Sequence, residues 1–402
     1  MTGVAVLGST GSVGESTLAV LARHPQRFEL IALAAHRNAT KLARQVLALR
    51  PRYAALADVD AVPELVALLG AAAPQTRILG GPGALQELAQ LREVDTVMAA
   101  VVGSAGLAST LAAARAGKRL LLANKESLVM AGTLLVAAVR ASGATLLPID
   151  SEHNAIFQCL PSGVRVGEPP PGLKRVILTA SGGPFRDLPV EALDGVTPEA
   201  ACAHPNWVMG RKISVDSATL MNKGFELIEA CVLFGLAPAQ VDILVHPQSI
   251  VHSLVEYVDG SVLAQLSAPD MRTPIAHALA WPERMDSGVE FLDLLKAARL
   301  DFRAPDPDRF RCLALAQAAA QAGGSHPVLL NAANEVAVQA FLERRLNFTG
   351  IPAVIETVVQ HGTGGLGGGL DEVLAADAEG RARAHERILG MTSSASVKGA
   401  HA

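Results

Sequence analysis

Acidic, amide and lysine side chains cluster in two short stretches of the sequence. Asp150 and Glu152 follow a strand-like run, while Asn222 and Lys223 precede Glu226 by about one helical turn. Residues two apart in an extended segment project to the same side, so Asp150 and Glu152 are expected to converge. Such carboxylates repel each other unless a proton or a cation lies between them. Oxygen ligands favour Mg²⁺ or Mn²⁺, and plain surface charge is the alternative.

A second set of polar residues is typical of a pocket for an anion, such as a phosphorylated substrate. Trp207, one of two tryptophans in the chain, lies between Pro205 and Gly210. An apolar side chain between chain-breaking residues is the pattern of a mobile lid. A polar surface loop beside an ordinary capped helix is the alternative. The members of the set are Ser181, His204, Ser217, Asn222 and Lys223.

The segment VAVLGSTGSVG near the N-terminus predicts a nucleotide-binding loop. A strand runs directly into Gly8, Gly11 and Gly14, and a helix follows. Without side chains the backbone can turn tightly and approach a pyrophosphate, while the free N–H groups of the helix face the anion. A purely structural turn is the alternative interpretation.

The end of the second predicted strand indicates which nucleotide is bound. An NAD site usually has an acidic residue there, which binds the ribose 2′-hydroxyl. In the run Phe28–Ala35 the acidic residue is Glu29, at the start, and Arg37 follows the end. An arginine suits a 2′-phosphate, so the sequence favours NADPH, unless Arg37 is a solvated loop charge.

The elements that must position these residues predict an α/β fold. Strands and helices alternate over residues 1–149, which indicates a Rossmann-like domain with a mostly parallel sheet. The predicted strands are Gly3–Leu7, Phe28–Ala34, Ala54–Ala57, Thr76–Leu79, Thr96–Val101, Leu120–Ala123 and Thr145–Ile149. The helices predicted between them include Ser12–Arg23, Thr40–Leu49 and Pro63–Leu69.

The rest of the chain predicts an α+β middle domain over 150–282, a linker over 283–308, a C-terminal helical bundle over 309–390 and a disordered tail over 391–402. Asp259-Gly260 is a hairpin signal, and the glycine-rich stretch Gly362–Gly369 predicts a flexible connection. The predicted strands are Lys174–Thr179, Val241–Val245, His252–Tyr257 and Val262–Leu266. The predicted helices are Arg311–Ala322, His326–Leu346 and Ile351–Gln360.

Composition excludes several classes of partner. With a formal net charge of −4 and 3% aromatic residues, the chain is a poor candidate for binding nucleic acid. No apolar run is long enough for a membrane span. The four cysteines lie far apart, which predicts neither a disulfide framework nor a zinc site. The opening residues MTGVAVLGS have no basic segment typical of a signal peptide, so we expect a cytoplasmic protein.

Long motifs in the sequence resemble the 1-deoxy-D-xylulose 5-phosphate reductoisomerase family. The resemblance covers the chain to about residue 390, and the block from His204 to Ala230 is its most specific part. The chain has His36-Arg37 before Asn38, where that family has Gly-Lys. The motifs are GSTGSVG, ANKES, PIDSEHNAIFQ, TASGGPF, HPNWVMGRKISVDSATLMNKGFELIEA, HPQSIVHSLVE and LNAANEVAV.

The resemblance implies a role for each matching residue. The implied metal ligands are Asp150, Glu152 and Glu226. The implied substrate contacts are Lys125, Ser151, Glu152, Ser181, His204, Ser217, Asn222, Lys223 and Glu226, of which Lys125, Glu152, His204 and Glu226 would be catalytic. The implied cofactor contacts are Thr10, Gly11, Ser12, Val13, His36, Arg37, Asn38, Asn124, Glu126 and Gly210. The implied flap residues are Trp207 and Met209.

The resemblance also implies a reaction. An oxidoreductase of the non-mevalonate isoprenoid route would rearrange 1-deoxy-D-xylulose 5-phosphate and reduce it with NADPH to 2-C-methyl-D-erythritol 4-phosphate, using Mg²⁺ or Mn²⁺. The family further implies that the middle domain is catalytic, and that a homodimer is joined mainly through its sheet. The alternatives are an NADPH-dependent dehydrogenase without an isomerase step and a non-catalytic nucleotide sensor. Metal dependence and turnover of that substrate discriminate among the three.

Overall fold

The computed structural model describes residues 1–207, 209–366 and 369–399, which form two compact units. Unit 1 contains Met1–Ser127, Leu135–Gln158 and Asp270–Leu292. Unit 2 contains Leu128–Leu134, Cys159–Pro269 and the described residues from Asp293 onward. No helix within the described residues has the length and apolar character needed to cross a membrane.

The predicted alternation of strands and helices is present. The strands are β1 (Thr2–Leu7), β2 (Phe28–Ala35), β3 (Tyr53–Leu56), β4 (Arg77–Gly80), β5 (Thr96–Ala99), β6 (Arg119–Leu122), β7 (Thr145–Pro148), β8 (Leu173–Ala180), β9 (Val241–Val245), β10 (Val251–Tyr257) and β11 (Val262–Leu266). The first eight helices are α1 (Ser12–Arg23), α2 (Ala39–Leu49), α3 (Val62–Leu69), α4 (Pro82–Gln90), α5 (Leu107–Arg115), α6 (Lys125–Ser142), α7 (Ser151–Cys159) and α8 (Pro198–Cys202). The others are α9 (Arg211–Ala218), α10 (Met221–Phe234), α11 (Arg272–Ala280), α12 (Leu294–Ala297), α13 (Arg311–Ala322), α14 (His326–Leu342), α15 (Gly350–Val359) and α16 (Leu370–Gly399).

Unit 1 is built on a seven-stranded sheet in the order β4-β3-β2-β1-β5-β6-β7. All neighbouring strands are parallel, so the predicted Rossmann-like fold class is confirmed. The strand order reverses between β1 and β5, and ligands of such sheets bind at the carboxyl ends of strands beside that point. The core is apolar on both faces of the sheet, with Val4, Leu33 and Met98 fully buried.

The helix α11 also belongs to unit 1, which differs from the domain boundaries expected from the sequence. Ile275 and Leu279 of α11 are buried in the same apolar cluster as Val20 of α1. The first part of the expected linker also belongs to unit 1, where Met285 packs against this cluster and Asp286 pairs with Arg23. The chain therefore returns to the parallel sheet after residue 269 to complete its core.

Unit 2 contains a four-stranded sheet in the order β11-β10-β8-β9. β8 and β9 are parallel, and the pairs β8–β10 and β10–β11 are antiparallel. The predicted hairpin between β10 and β11 is confirmed, and Gly260 in its turn has a φ of +88°. The helices α9, α10 and α13–α16 belong to the same unit, so the α+β region and the helical bundle form one body.

Two helix ends differ from the sequence-based expectation. The helix α14 ends at Leu342, earlier than the predicted Leu346, and Arg344 just beyond it has a left-handed φ of +61°. The tail predicted to be disordered from residue 391 continues as helix to Gly399, because no proline interrupts it. Residues 400–402 of that tail lie outside the described residues, as do residues 367 and 368 of the predicted glycine-rich connection.

Candidate active site

The loop between β1 and α1 has the geometry of an anion-binding turn. Gly8 has a φ of +92°, and a Cβ there would lie 2.4 Å from the carbonyl oxygen of Ala100. A Cβ on Gly14 would lie 2.3 Å from the Gly8 carbonyl oxygen, so both positions require glycine. Gly11 is the exposed N-cap of α1, and no side chain caps the helix there, so its first N–H groups suit an anion. The other predicted cofactor residues of this turn are Thr10, Ser12 and Val13.

Three predicted cofactor residues follow β2. Asn38 Oδ1 accepts a hydrogen bond from the Lys41 N–H at 3.0 Å and caps α2. The Arg37 side chain is 76% exposed, and its Nε lies 3.7 Å from the Asp58 carboxylate. Such a contact between exposed groups contributes little, so the guanidinium is available to a 2′-phosphate. His36 does not have a left-handed φ, so the loop needs no glycine at this position.

Asn124 organises the backbone at the start of α6. Its carboxamide oxygen accepts from the Ser127 N–H at 2.7 Å and caps the helix. Its amide nitrogen donates to the carbonyl oxygens of Val101 and Gly103, in the connection from β5 to α5. The side chain is therefore committed to the local fold. Glu126, the next predicted cofactor residue, is buried in the first turn of α6.

The Asp150 carboxylate lies at the carboxyl end of β7 with a basic group on each oxygen. Lys125 Nζ is 2.5 Å from Oδ2, and His153 Nδ1 is 2.9 Å from Oδ1. All three side chains are at most 10% exposed, so the ion pair of Lys125 with Asp150 lies in a weakly solvated environment. The Glu152 N–H also donates to Asp150 Oδ1, at 3.2 Å, and Glu152 Oε2 accepts from the Ser151 hydroxyl at 2.6 Å. Unit 1 thus gathers the predicted residues of the ANKES and PIDSE motifs.

The extended backbone predicted for Asp150 and Glu152 is wrong. Ser151 begins α7, so these residues do not alternate along an extended segment. Their carboxylates nevertheless converge, as predicted, with one oxygen of each within 4.8 Å of the other. Asp150 instead precedes the first helical turn, where its carboxylate accepts from the backbone N–H of Glu152, as a helix-capping residue does.

Ser181 and His204 form a hydrogen-bonded pair in unit 2, with 2.8 Å between Oγ and Nε2. The imidazole Nδ1 accepts from the N–H groups of Asn206 and Trp207, at 3.1 and 3.0 Å. A ring nitrogen that accepts carries no proton, so we assign the proton to Nε2, which donates to Ser181. The Gly183 N–H also donates to Ser181 Oγ, at 3.1 Å. The serine O–H is then directed to a further acceptor, such as a phosphate oxygen.

The surroundings of His204 keep its imidazole neutral. Burial, together with the charge of Arg186, lowers the pKa of His204 to about 4. The Arg186 guanidinium also donates to the carbonyl oxygen of Ser181, at 3.1 Å. Arg186 was not among the residues predicted from the sequence, although it directly follows the TASGGPF motif. A basic residue next to a serine-glycine turn was the available signal.

Helices α9 and α10 carry the remaining polar residues of unit 2. Ser217 is buried near the end of α9, and Leu220, with a φ of +58°, makes the turn into α10. Asn222 Nδ2 donates to Glu226 Oε1, and Lys223 Nζ pairs with Glu226 Oε2. The predicted alignment of residues 222 and 226 on one helical turn is confirmed. Lys223 and Glu226 are both almost completely buried.

The predicted flap is tied to the turn between β9 and β10. Asn206 Nδ2 donates to the Pro247 carbonyl oxygen at 2.7 Å and lies 2.8 Å from Ser249 Oγ. The Trp207 ring lies 6.2 Å from the His252 ring, in a tilted arrangement. Asn206 was not among the predicted residues, because an asparagine between a proline and a tryptophan is typical of an ordinary turn. The other predicted residues of this segment are Met209 and Gly210, which directly precede α9, while residue 208 lies outside the described residues.

Three family models match the chain along its length. The model of 1-deoxy-D-xylulose 5-phosphate reductoisomerase matches residues 4–132. The two models of C-terminal domains of that enzyme match residues 146–234 and 266–383. A 1-deoxy-D-xylulose 5-phosphate reductoisomerase of Stutzerimonas stutzeri is 58% identical over 378 residues, which is 94% of this chain and 96% of that protein. The chain belongs to the 1-deoxy-D-xylulose 5-phosphate reductoisomerase family.

Further members of the reductoisomerase family agree in sequence and structure. The protein of the same name from Methylococcus capsulatus is 58% identical over 96% of this chain and 99% of its own length. A crystal structure of a DOX-P reductoisomerase in complex with NADPH, fosmidomycin and magnesium has a TM-score of 0.93 and 47% identity, and covers 96% of this chain and 98% of its own. The Zymomonas mobilis enzyme in complex with NADPH has a TM-score of 0.88 and 47% identity, with 96% and 99% covered.

Proposed function

We propose that this chain converts 1-deoxy-D-xylulose 5-phosphate to 2-C-methyl-D-erythritol 4-phosphate, with NADPH and a divalent metal ion. Membership of the family supports this reaction from the sequence. The single structural observation that carries it is the turn of α10 on which Asn222 and Lys223 hold the buried Glu226 carboxylate. Hydride transfer alone does not need this turn, whereas a metal-assisted rearrangement of a phosphorylated ketose uses both its carboxylate and its ammonium group.

NADPH fits the residues of unit 1. The glycine turn leaves the N-terminus of α1 without a capping side chain, which suits a pyrophosphate. Arg37 is exposed and only loosely paired, which suits a 2′-phosphate. When bound, NADPH supplies the hydride that reduces the aldehyde formed by the rearrangement. The chain itself contributes orientation, through Gly11 and the neighbouring backbone.

A divalent ion fits the chemistry of three carboxylates, Asp150, Glu152 and Glu226. Carboxylate oxygens are the ligands that Mg²⁺ and Mn²⁺ prefer, and the magnesium in related crystal structures supports this choice. The Lys125 ammonium pairs with Asp150, and the Lys223 ammonium pairs with Glu226. Both carboxylates are therefore placed to bind a cation. When bound, the ion polarises a substrate carbonyl and stabilises developing negative charge.

The polar groups of unit 2 bind the substrate phosphate in this proposal. Ser181 donates its hydroxyl hydrogen, because Gly183 and His204 already donate to its oxygen. Ser217 and Lys223 add a second hydroxyl and a buried positive charge. His204 acts as a neutral group that fixes the serine, in keeping with its lowered pKa.

Lys125 and the flap serve the reacting part of the substrate. The Lys125 ammonium, held by Asp150, can donate a proton or stabilise negative charge on a substrate oxygen. Ser151 and Glu152 contact the same substrate from the start of α7. Trp207 and Met209 exclude water from the reactive aldehyde when the flap covers it.

A homodimer and a cytoplasmic location complete the proposal. β11 is an edge strand, and its Val262 and Leu263 are 51% and 48% exposed. An apolar edge strand favours pairing with another strand, so we place the dimer contact there. All four cysteines are free thiols, which suits a reducing compartment.

The direct test is turnover of 1-deoxy-D-xylulose 5-phosphate, followed by the loss of NADPH absorbance with and without Mg²⁺ or Mn²⁺. We expect oxidation of NADPH that requires both the substrate and the metal. Metal-independent oxidation would indicate the simple dehydrogenase instead. Binding of NADPH without turnover in any metal would indicate a nucleotide sensor.

A further inference from the structure

The LNAANEVAV motif places two asparagines in the core of unit 2 that the reaction above does not use. Asn331 and Asn334 lie on α14 and are fully buried. Their carboxamide oxygens have no hydrogen-bond partner among the described residues. A buried polar atom without a partner costs stability, so an apolar side chain would serve packing better at either position. Residues that break a packing rule in this way are expected where function requires them.

The amide of Asn334 begins a line of polar contacts to the helices that carry the phosphate-binding groups. Asn334 Nδ2 donates to Asp216 Oδ1 at 2.8 Å, and Asp216 is buried on α9. The other oxygen of that carboxylate lies 2.9 Å from Lys212 Nζ, one turn earlier on α9. Lys212 Nζ in turn lies 5.0 Å from the centre of the Phe225 ring on α10. The contacts therefore connect α14, α9 and α10.

Two residues of this line are adjacent in sequence to residues of the proposed site. Asp216 directly precedes Ser217, and Phe225 directly precedes Glu226. Hydrogen bonds to a carboxylate are stronger and more directional than apolar contacts, so they fix the rotation of a helix as well as its distance. A second contact limits the position of α10, because a Cβ on Gly224 would lie 2.4 Å from the Ala316 Cβ of α13.

We propose that Asn334, Asp216 and Lys212 are positioning residues for the substrate phosphate. They set the rotation of α9 against α10, and thereby hold the Ser217 hydroxyl and the Lys223 ammonium in register. The C-terminal helices then act in substrate binding without touching the substrate. This inference rests on the function proposed above, in which Ser217 and Lys223 bind the phosphate.

The experiment compares Asn334→Leu with the matched control Asn331→Leu. Both asparagines are buried on α14, but the Asn331 amide donates to Glu335, at 3.2 Å, and not to α9. We expect Asn334→Leu to raise the KM for 1-deoxy-D-xylulose 5-phosphate about tenfold, with the KM for NADPH unchanged, since one hydrogen bond to a charged group is lost. Asn331→Leu makes the same replacement on the same helix and should leave both KM values unchanged.

Three outcomes would overturn the inference: an unchanged substrate KM in Asn334→Leu, equal KM rises in both variants, or a rise that extends to NADPH. If Asn334→Leu does not fold, Lys212→Met decides in the same assay. A raised substrate KM in that variant supports the inference, and a wild-type KM contradicts it. Ser217→Ala tests the proposed phosphate site separately from the positioning residues. A wild-type KM for the substrate in that variant would contradict the phosphate site itself.

Discussion

Two carboxylates with little exposure to solvent each pair with a lysine ammonium: Asp150 in unit 1 and Glu226 in unit 2. The backbone brings the two partners of each pair together in a different way. Lys223 and Glu226 share one helical turn. Lys125 and Asp150 are 25 residues apart and follow the neighbouring parallel strands β6 and β7. Local spacing is therefore enough to predict the second pair, whereas the first pair depends on the sheet, whose strand ends meet at one edge.

The same comparison separates the work of the two units. Unit 1 contributes the glycine turn and Arg37, which face a nucleotide in our proposal. Unit 2 contributes Ser181, His204 and Lys223, which face a phosphate. If this division holds, substitution of Arg37 should change the kinetic constants of NADPH alone, and substitution of Ser181 should change those of the substrate alone.

The largest effect is expected from neutralising either carboxylate. Glu226→Gln and Asp150→Asn should each lower kcat by about 10³-fold, because preorganised charge at the reacting centre is lost. Steady-state turnover with Mn²⁺ measures this, and Asp242→Asn, at an exposed ion pair with Arg175, is the control. A wild-type kcat in one of the two variants would show that the carboxylates are not equivalent.

Cofactor preference tests the role of unit 1. Arg37→Asp should lower the ratio of kcat/KM for NADPH over NADH by about 10²-fold, because a carboxylate repels the 2′-phosphate. The substrate KM should not change. Arg52→Asp removes another exposed arginine of unit 1, which pairs with Glu29, and should leave the ratio unaltered. An unchanged ratio in Arg37→Asp would refute its assigned role.

Substrate affinity tests the role of unit 2. Ser181→Ala removes one hydroxyl donor and should raise the KM for the phosphorylated substrate about tenfold. The KM for NADPH should stay at the wild-type value. Ser325→Ala is a matched control, because that hydroxyl accepts from the Thr363 N–H, at 2.8 Å. If both variants behave alike, Ser181 serves only the turn.

The smallest effect concerns stability against pH. Burial lowers the pKa of His204 in unit 2 and of His277 in unit 1 to about 4, and an arginine near each histidine acts in the same direction. The unfolded chain binds protons near the ordinary histidine pKa of about 6.5, so it takes up more protons than the folded chain between pH 6.5 and 4. The melting temperature should therefore fall as the pH drops through this window.

Substitution of either histidine should make that fall shallower. His277→Gln and His204→Gln are compared with the exposed His385→Gln by thermal unfolding across the window. Equal slopes in all three variants would contradict the assignment of neutral, buried imidazoles to both units.

Periodicity in the sequence predicted most of the fold, because each element carries its own apolar pattern. The seven strands of unit 1 and the β10–β11 hairpin needed only local information. The place of α11 could not be predicted in this way. Its Ile275 and Leu279 complete a core whose other residues lie far earlier in the chain, and a short helix gives no sign of which sheet it covers.

The candidate site was predictable where spacing within one element decides the geometry. The contact of Asn222 with Glu226 follows from a single helical turn. Arg186 and Asn206 were missed because their importance depends on tertiary neighbours, the Ser181 carbonyl and the Pro247 carbonyl. The helical start at Ser151 was missed because a strand and a helix meet there without a linker.

The stoichiometry and strength of Mn²⁺ binding, measured by electron paramagnetic resonance, test the proposed metal site most directly. The comparison covers the wild-type protein, Asp150→Asn, Glu152→Gln and Glu226→Gln, each without substrate. We expect one Mn²⁺ ion per chain in the wild type. In every variant, the affinity for Mn²⁺ should be lower by at least about tenfold. Wild-type affinity in Glu226→Gln would contradict the assignment of Glu226 as a ligand of the ion.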